Sequence, residues 1–254
     1  MKTIIFLFLS LSLIACNDVK SDFIYGPKGM EGAHTPIQQD SQGNPYGYYE
    51  YLPKGFNKKD SRNLPIIFYW NGINALTGNG REDIGKLLNQ GLTQYIHEGR
   101  HYPAIIISGM LPRWSEDDPH DFVEYILERY KLYLDPTRVY MTGFSAGGAV
   151  TVKYAAKHPE YLAAIWPVSA AAEPPTDEQP SMAMANIPSW FYHNSGDMSV
   201  EIWRSNLWHR ALKNMGGEHH ITRPDKDSHY AWKEAYASEM LWRWLLDNRK
   251  GSTL

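Results

Sequence analysis

A serine set among glycines, where a buried strand turns directly into a helix, constrains this chain more than any other feature. Arg138–Thr142 reads as a short buried strand and Ala149–Ala156 as an amphipathic helix. Gly143-Phe144-Ser145-Ala146-Gly147-Gly148 joins them. So tight a turn forces the serine into a strained backbone conformation, and side chains two positions to either side would collide. Gly143 and Gly147 remove those side chains. The turn lifts the Ser145 hydroxyl above the sheet and aims the Ala146 amide where negative charge would develop on a reacting oxygen. G-x-S-x-G arises by chance in many chains, and the strand–turn–helix context is what gives it weight. The competing reading is a glycine-rich turn that lets a helix pack closely on a sheet.

The rest of the chain supplies a matching frame. Tyr46–Leu52 is aromatic and β-prone. Leu64–Trp70, Ala104–Ser108 and Leu162–Val168 are unbroken apolar runs of strand length, the pattern of strands buried on both faces. Pro188–His193 and His219–Thr222 read as further strands. Helices are expected over about 81–90, Glu116–Tyr133, Glu201–Met215 and Tyr230–Asp247, the last with Trp232, Tyr236, Met240 and Trp244 along one side. Ala170–Asn186 reads as an insertion. Strands alternating with helices from residue 64 onward predict an α/β fold, with a mostly parallel central sheet flanked by helices on both faces.

The N-terminus carries a different message. Met1-Lys2 leads into the apolar run Thr3–Ala15, too short for a comfortable membrane span but suited to a secretory signal. It closes on Leu13-Ile14-Ala15-Cys16, which resembles a bacterial lipobox, and Cys16 is the only cysteine in the chain. The expected organisation is a lipoprotein signal over 1–16, a flexible tether over 17–33 and one domain over 34–250. The chain is then exported and held at a membrane by lipid on Cys16, at the cell surface or in the periplasm. An ordinary cleaved signal, giving a soluble secreted protein, is the alternative.

Other chemistries fit less well. A net charge of −3 offers no basic field for nucleic acid. His219 and His220 are adjacent, so in a strand their rings point to opposite faces and cannot share a metal. No phosphate-binding loop is present, and Gly78-Asn79-Gly80 is too short for a dinucleotide fingerprint. Neither metal nor organic cofactor is expected. The surplus of Trp and Tyr either fills the core or lines a cleft for sugars or aryl groups.

A serine hydroxyl needs a histidine to take its proton and a carboxylate to orient that histidine. On an elbow of this kind both follow the serine in the chain. His229 lies in the polar loop after the last strand, and Asp197 follows the strand Pro188–His193. Glu201 reads as a helix N-terminal charge, and Asp225 and Asp227 lie too close to His229. Glu173 and Asp177, in the insertion, remain open as alternatives for the acid.

These segments resemble esterases of the α/β-hydrolase superfamily. The nearest branch is the secreted carboxylesterase, feruloyl-esterase and polyhydroxybutyrate-depolymerase-like group, related to dienelactone hydrolases and prolyl oligopeptidase domains. Asp135–Tyr140 before the elbow, His193-Asn194-Ser195-Gly196-Asp197 and His229-Tyr230-Ala231-Trp232 are similar to that group's three catalytic segments. The resemblance covers most of Leu64–Leu246 and implies a Ser145–Asp197–His229 triad cleaving carboxylic esters through an acyl-enzyme, on small-molecule or polymer-linked substrates. It also implies an oxyanion hole from the amides of Ala146 and Ile73, with Asn74 second to Ile73. Asn74, Trp114 and Trp232 are candidate substrate contacts; for Trp114, plain packing is the equal alternative. Two positions depart from the group's pattern: Asn71 stands for the usual His before Gly72, and Asn194 for the usual Gly. A peptidase, and a non-catalytic binding lipoprotein on the same scaffold, are the other readings.

Overall fold

A computed structural model describes residues 32–39, 43–73, 84–111, 118–175, 182 and 184–251. The expectations for Cys16, Asn74, Trp114 and Asp177 lie outside the described residues. An eight-stranded sheet in the order β1-β2-β4-β3-β5-β6-β7-β8 forms the centre. Its strands are β1 (Ala33–Ile37), β2 (Tyr48–Leu52), β3 (Leu64–Trp70), β4 (Ile105–Gly109), β5 (Leu134–Phe144), β6 (Ala164–Val168), β7 (Ser189–Tyr192) and β8 (His219–Thr222). β1 and β2 run antiparallel at one edge, and every pair from β4 to β8 is parallel.

The unbroken apolar strands are explained by what covers them. Alternate residues of a strand face opposite sides. Ile66, Phe68 and Trp70 of β3, with Val139 and Met141 of β5, pack with Phe122, Val123 and Ile126 of α2 (His120–Tyr130). α3 (Ala146–Lys157) and α4 (Trp203–Asn214) complete that layer. Ile67, Tyr69, Tyr140 and Trp166 point the other way, to α1 (Gly91–His97), α5 (Trp232–Ala235) and α6 (Glu239–Asp247). Most of the aromatic surplus is therefore core: Trp70, Trp166, Trp242, Tyr69 and Tyr236 are fully buried. Each such side chain contributes about 1.5–3 kcal/mol of burial.

Four local expectations change. The helix expected over 81–90 is a 3₁₀ turn, Ile84–Asn89, within the described residues, and the true helix is α1, which follows it. The closing helix is two helices, interrupted at 236–238, where Ser238 caps α6 by accepting from the Leu241 amide. That break shifts the buried face: Leu241, Trp242 and Leu245 turn inward while Met240 is exposed. The helix before the elbow is shorter than expected, and β5 starts at Leu134, immediately before Asp135-Pro136. Finally, β1 begins inside the segment read as tether, because pairing with β2 recruits Ala33.

Candidate active site

Ser145 sits between β5 and α3 with φ 58° and ψ −115°, in the left-handed half of backbone space. Such a conformation costs a non-glycine residue on the order of 1–3 kcal/mol, and neighbouring bonds hold it. The Ser145 amide donates to Val168 O at 2.9 Å, and Ser145 O accepts from Ala149 and Ala171 at 3.1 and 3.0 Å. The glycines are required by close approach to β3. A Cβ on Gly147 would lie 1.9 Å from Trp70 O, and one on Gly143 would lie 2.3 Å from Gly147 O.

The carboxyl ends of β7 and β8 bring the partners. His229 Nδ1 lies 2.7 Å from Asp197 Oδ2, and its Nε2 lies 2.9 Å from Ser145 Oγ. The carboxylate can only accept, so Nδ1 carries the ring proton and Nε2 presents its lone pair to the serine. The Phe144 ring packs 4.8 Å from the imidazole.

Asp197 is buried and uses all of its acceptor capacity. Oδ1 accepts from the Ser199 and Val200 amides at 2.9 and 3.0 Å. Oδ2 faces His229 and also His193 Nε2 at 3.3 Å. Burial by itself would raise the carboxyl group's pKa. The hydrogen bonds from His193, His229 and the Val200 amide outweigh it and hold the group well below the usual carboxylate range. Glu173 points elsewhere, to Arg204.

Three supporting residues carry roles that the sequence does not assign to them. His193 is fully buried; its Nε2 donates to Val200 O at 2.9 Å while Nδ1 meets Ser205 Oγ at 2.8 Å, which aims the same N–H edge at Asp197. Ser169, at φ 42°, donates to His229 O at 3.2 Å. Asn194 Nδ2 donates to Ser228 O at 2.7 Å, which gives this departure from the family pattern a role in fixing the histidine loop. The only sequence signal was the proximity of these polar residues to strand ends.

The remaining expected residues are placed as follows. The Ala146 amide opens α3, among the first-turn donors that have no acceptor within their own helix. Ile73 lies just beyond β3 with its side chain 55% exposed. Asn71 is buried, and its Nδ2 donates to Leu87 O at 2.9 Å, tying the loop after β3 to the 3₁₀ turn. Trp232 is largely buried and packs against Tyr95, ring centroids 5.3 Å apart.

The sequence of residues 76–251 matches the alpha/beta hydrolase fold family, and the chain belongs to it. No curated protein sequence is significantly similar to this one. Among solved structures the chain is similar to a thermostable esterase, at 20% identity and a TM-score of 0.65, covering 87% of this chain and 64% of that one. It is similar to a ferulic acid esterase at 14% identity and a TM-score of 0.61, covering 85% and 98%. It is also similar to the Pyrococcus horikoshii acylaminoacyl peptidase at 14% identity and a TM-score of 0.60, covering 89% and 43%. The chain thus spans under two thirds of the thermostable esterase and under half of the peptidase. At these identities the likeness shows the fold.

Proposed function

We propose that the chain is a serine hydrolase that cleaves carboxylic esters. The observation that carries this reading is the continuous hydrogen-bond chain Ser145–His229–Asp197, at 2.9 and 2.7 Å, on a strained elbow. Ser145 Oγ attacks the ester carbonyl while its proton passes to His229 Nε2. Asp197 stabilises the imidazolium that results. The amides of Ala146 and Ile73 hold the oxyanion, each worth roughly 3 kcal/mol. Collapse breaks the C–O bond, and His229 gives its proton to the departing alcohol. Water, deprotonated by His229, then releases the acid and restores Ser145. No step calls for a metal or organic cofactor. In the same reading, lipid on Cys16 anchors the enzyme at a membrane, where it meets small or polymer-linked esters. Among the described residues no helix is long and apolar enough to cross a membrane.

Peptide hydrolysis is the second reading, favoured by the structural likeness to the acylaminoacyl peptidase. One panel separates the two: p-nitrophenyl acetate, butyrate and octanoate, methyl ferulate, acetylated xylan and a peptide anilide, each with wild type and Ser145→Ala. Serine-dependent turnover of an ester class supports the esterase. Cleavage of the anilide alone reverses the order, and turnover that survives Ser145→Ala removes the serine from the mechanism.

A further inference from the structure

A cavity of about 310 Å³ lies beside the catalytic histidine, outside the residues assigned to chemistry. Asn89, Gln90 and Gln94 contribute carboxamides to its wall, Lys86 and Lys233 ammonium groups, and Tyr230 and Trp232 ring surface. It shares a partition with the active site. Tyr230 follows His229, and its ring lies 6.3 Å from that of Phe144, the residue before Ser145. Gly72, next to the candidate oxyanion donor Ile73, separates Phe144 from Gln90: a Cβ there would meet the Phe144 ring at 3.1 Å and Gln90 Nε2 at 3.2 Å.

The wall brings carboxamide, indole and ammonium donors together. No carboxylate is among the described residues that line it. Of the described carboxylates near them in sequence, Glu98 accepts from Gln94, and Glu234 pairs with Lys226, each at 2.7 Å. Gln90 Nε2 and Trp232 Nε1 are buried donors with no acceptor among the described residues. Buried donors call for partners, and a ligand offering oxygens would provide them. Lys233 Nζ lies 5.6 Å from the centre of the Tyr230 ring, so charge and aromatic surface are presented together. The volume sits at the small end of ligand pockets, which start at roughly 300 Å³; it suits one sugar-sized group.

We propose that this cavity is a subsite for a carboxylate-bearing saccharide, a uronic acid unit of the ester substrate held next to the scissile bond. The assignment rests on the hydrolase reading for its purpose, but binding tests it separately. Full-length protein in detergent is titrated by NMR or calorimetry with methyl galacturonoside, methyl galactoside and sodium acetate. Two ammonium groups predict affinity for the uronoside roughly five- to tenfold above that for the neutral sugar. Lys86→Gln with Lys233→Gln brings the two sugars to within about twofold, and each single variant gives an intermediate ratio; circular dichroism verifies folding. Equal affinities in wild type, no saturable sugar binding, acetate binding as tightly as the uronoside, or discrimination that survives the double substitution would each overturn the subsite. Fluorophosphonate labelling of Ser145 in the same sample reports on the hydrolase reading, so the two can fail independently.

Discussion

Replacing Asp197 by asparagine exchanges one oxygen for a nitrogen, and the surroundings dictate which way the new amide lies. The Ser199 and Val200 amides need an acceptor at 2.9 and 3.0 Å. The carboxamide oxygen therefore takes the Oδ1 position, and the NH₂ group falls where Oδ2 was. There it faces His229 Nδ1 at 2.7 Å and His193 Nε2 at 3.3 Å. The opposite orientation would strand two buried N–H groups, at about 1–3 kcal/mol each. His229 Nδ1 must then accept, its proton moves to Nε2, and that proton points at Ser145 instead of a lone pair. A wrong tautomer of this kind costs roughly 10,000-fold in kcat, or about 5.4 kcal/mol in barrier height. Initial rates on whichever ester the panel identifies, together with the rate of fluorophosphonate labelling, measure it. If folded Asp197→Asn keeps more than about a tenth of wild-type turnover, a loss of under about 1.4 kcal/mol, the tautomer argument is refuted.

The same carboxylate makes stability depend on pH. Its folded pKa is depressed, so its stabilisation is complete above the ordinary carboxylate value near 3.9 and fades as pH falls below it. The gap between wild type and Asp197→Asn in urea titrations should therefore be constant above about pH 5 and narrow progressively as pH falls below about 4, without closing by pH 3; a gap that stays constant over the whole range contradicts this. Gly147→Ala drives a Cβ to 1.9 Å from Trp70 O, a backbone atom that cannot step aside. The expected loss is about 3 kcal/mol or more, read as a lower urea midpoint, and a midpoint equal to wild type would disprove the clash. His193→Phe keeps the ring but removes one of the donors to Asp197. A hydrogen bond to a charged group is worth about 1.5–3 kcal/mol, so kcat should fall roughly 10- to 100-fold with KM little changed; a fall confined to KM would place His193 outside the triad's support.

How much of this was legible depended on the range of the interactions involved. The parallel core could be read from Leu64–Trp70 and Leu162–Val168, because burial on both faces leaves no polar alternation to confuse the pattern. The elbow could be read because its glycines answer a local steric demand, visible afterwards as the Gly147–Trp70 approach. Chain order pointed to His229 and left Asp197 in competition with Glu173 and Asp177, the family resemblance implied Asp197, and the structure brings Asp197 and His229 to Ser145. The supports could not be read. His193, Ser169 and Asn194 act through partners up to 60 residues away, and nothing local marks such bonds. The closing helix was misread because Ser238, a capping residue, interrupts a run whose apolar spacing looks continuous. β1 was missed for a similar reason: five residues containing a proline become a strand only by pairing with β2.

The most direct test of the account is mass spectrometry of full-length protein treated with a fluorophosphonate. The account predicts a single adduct, mapped to Ser145, formed rapidly by wild type and slowly by Asp197→Asn. A folded protein that takes up no label, or that carries it on another residue, would contradict the assignment of Ser145 as the nucleophile.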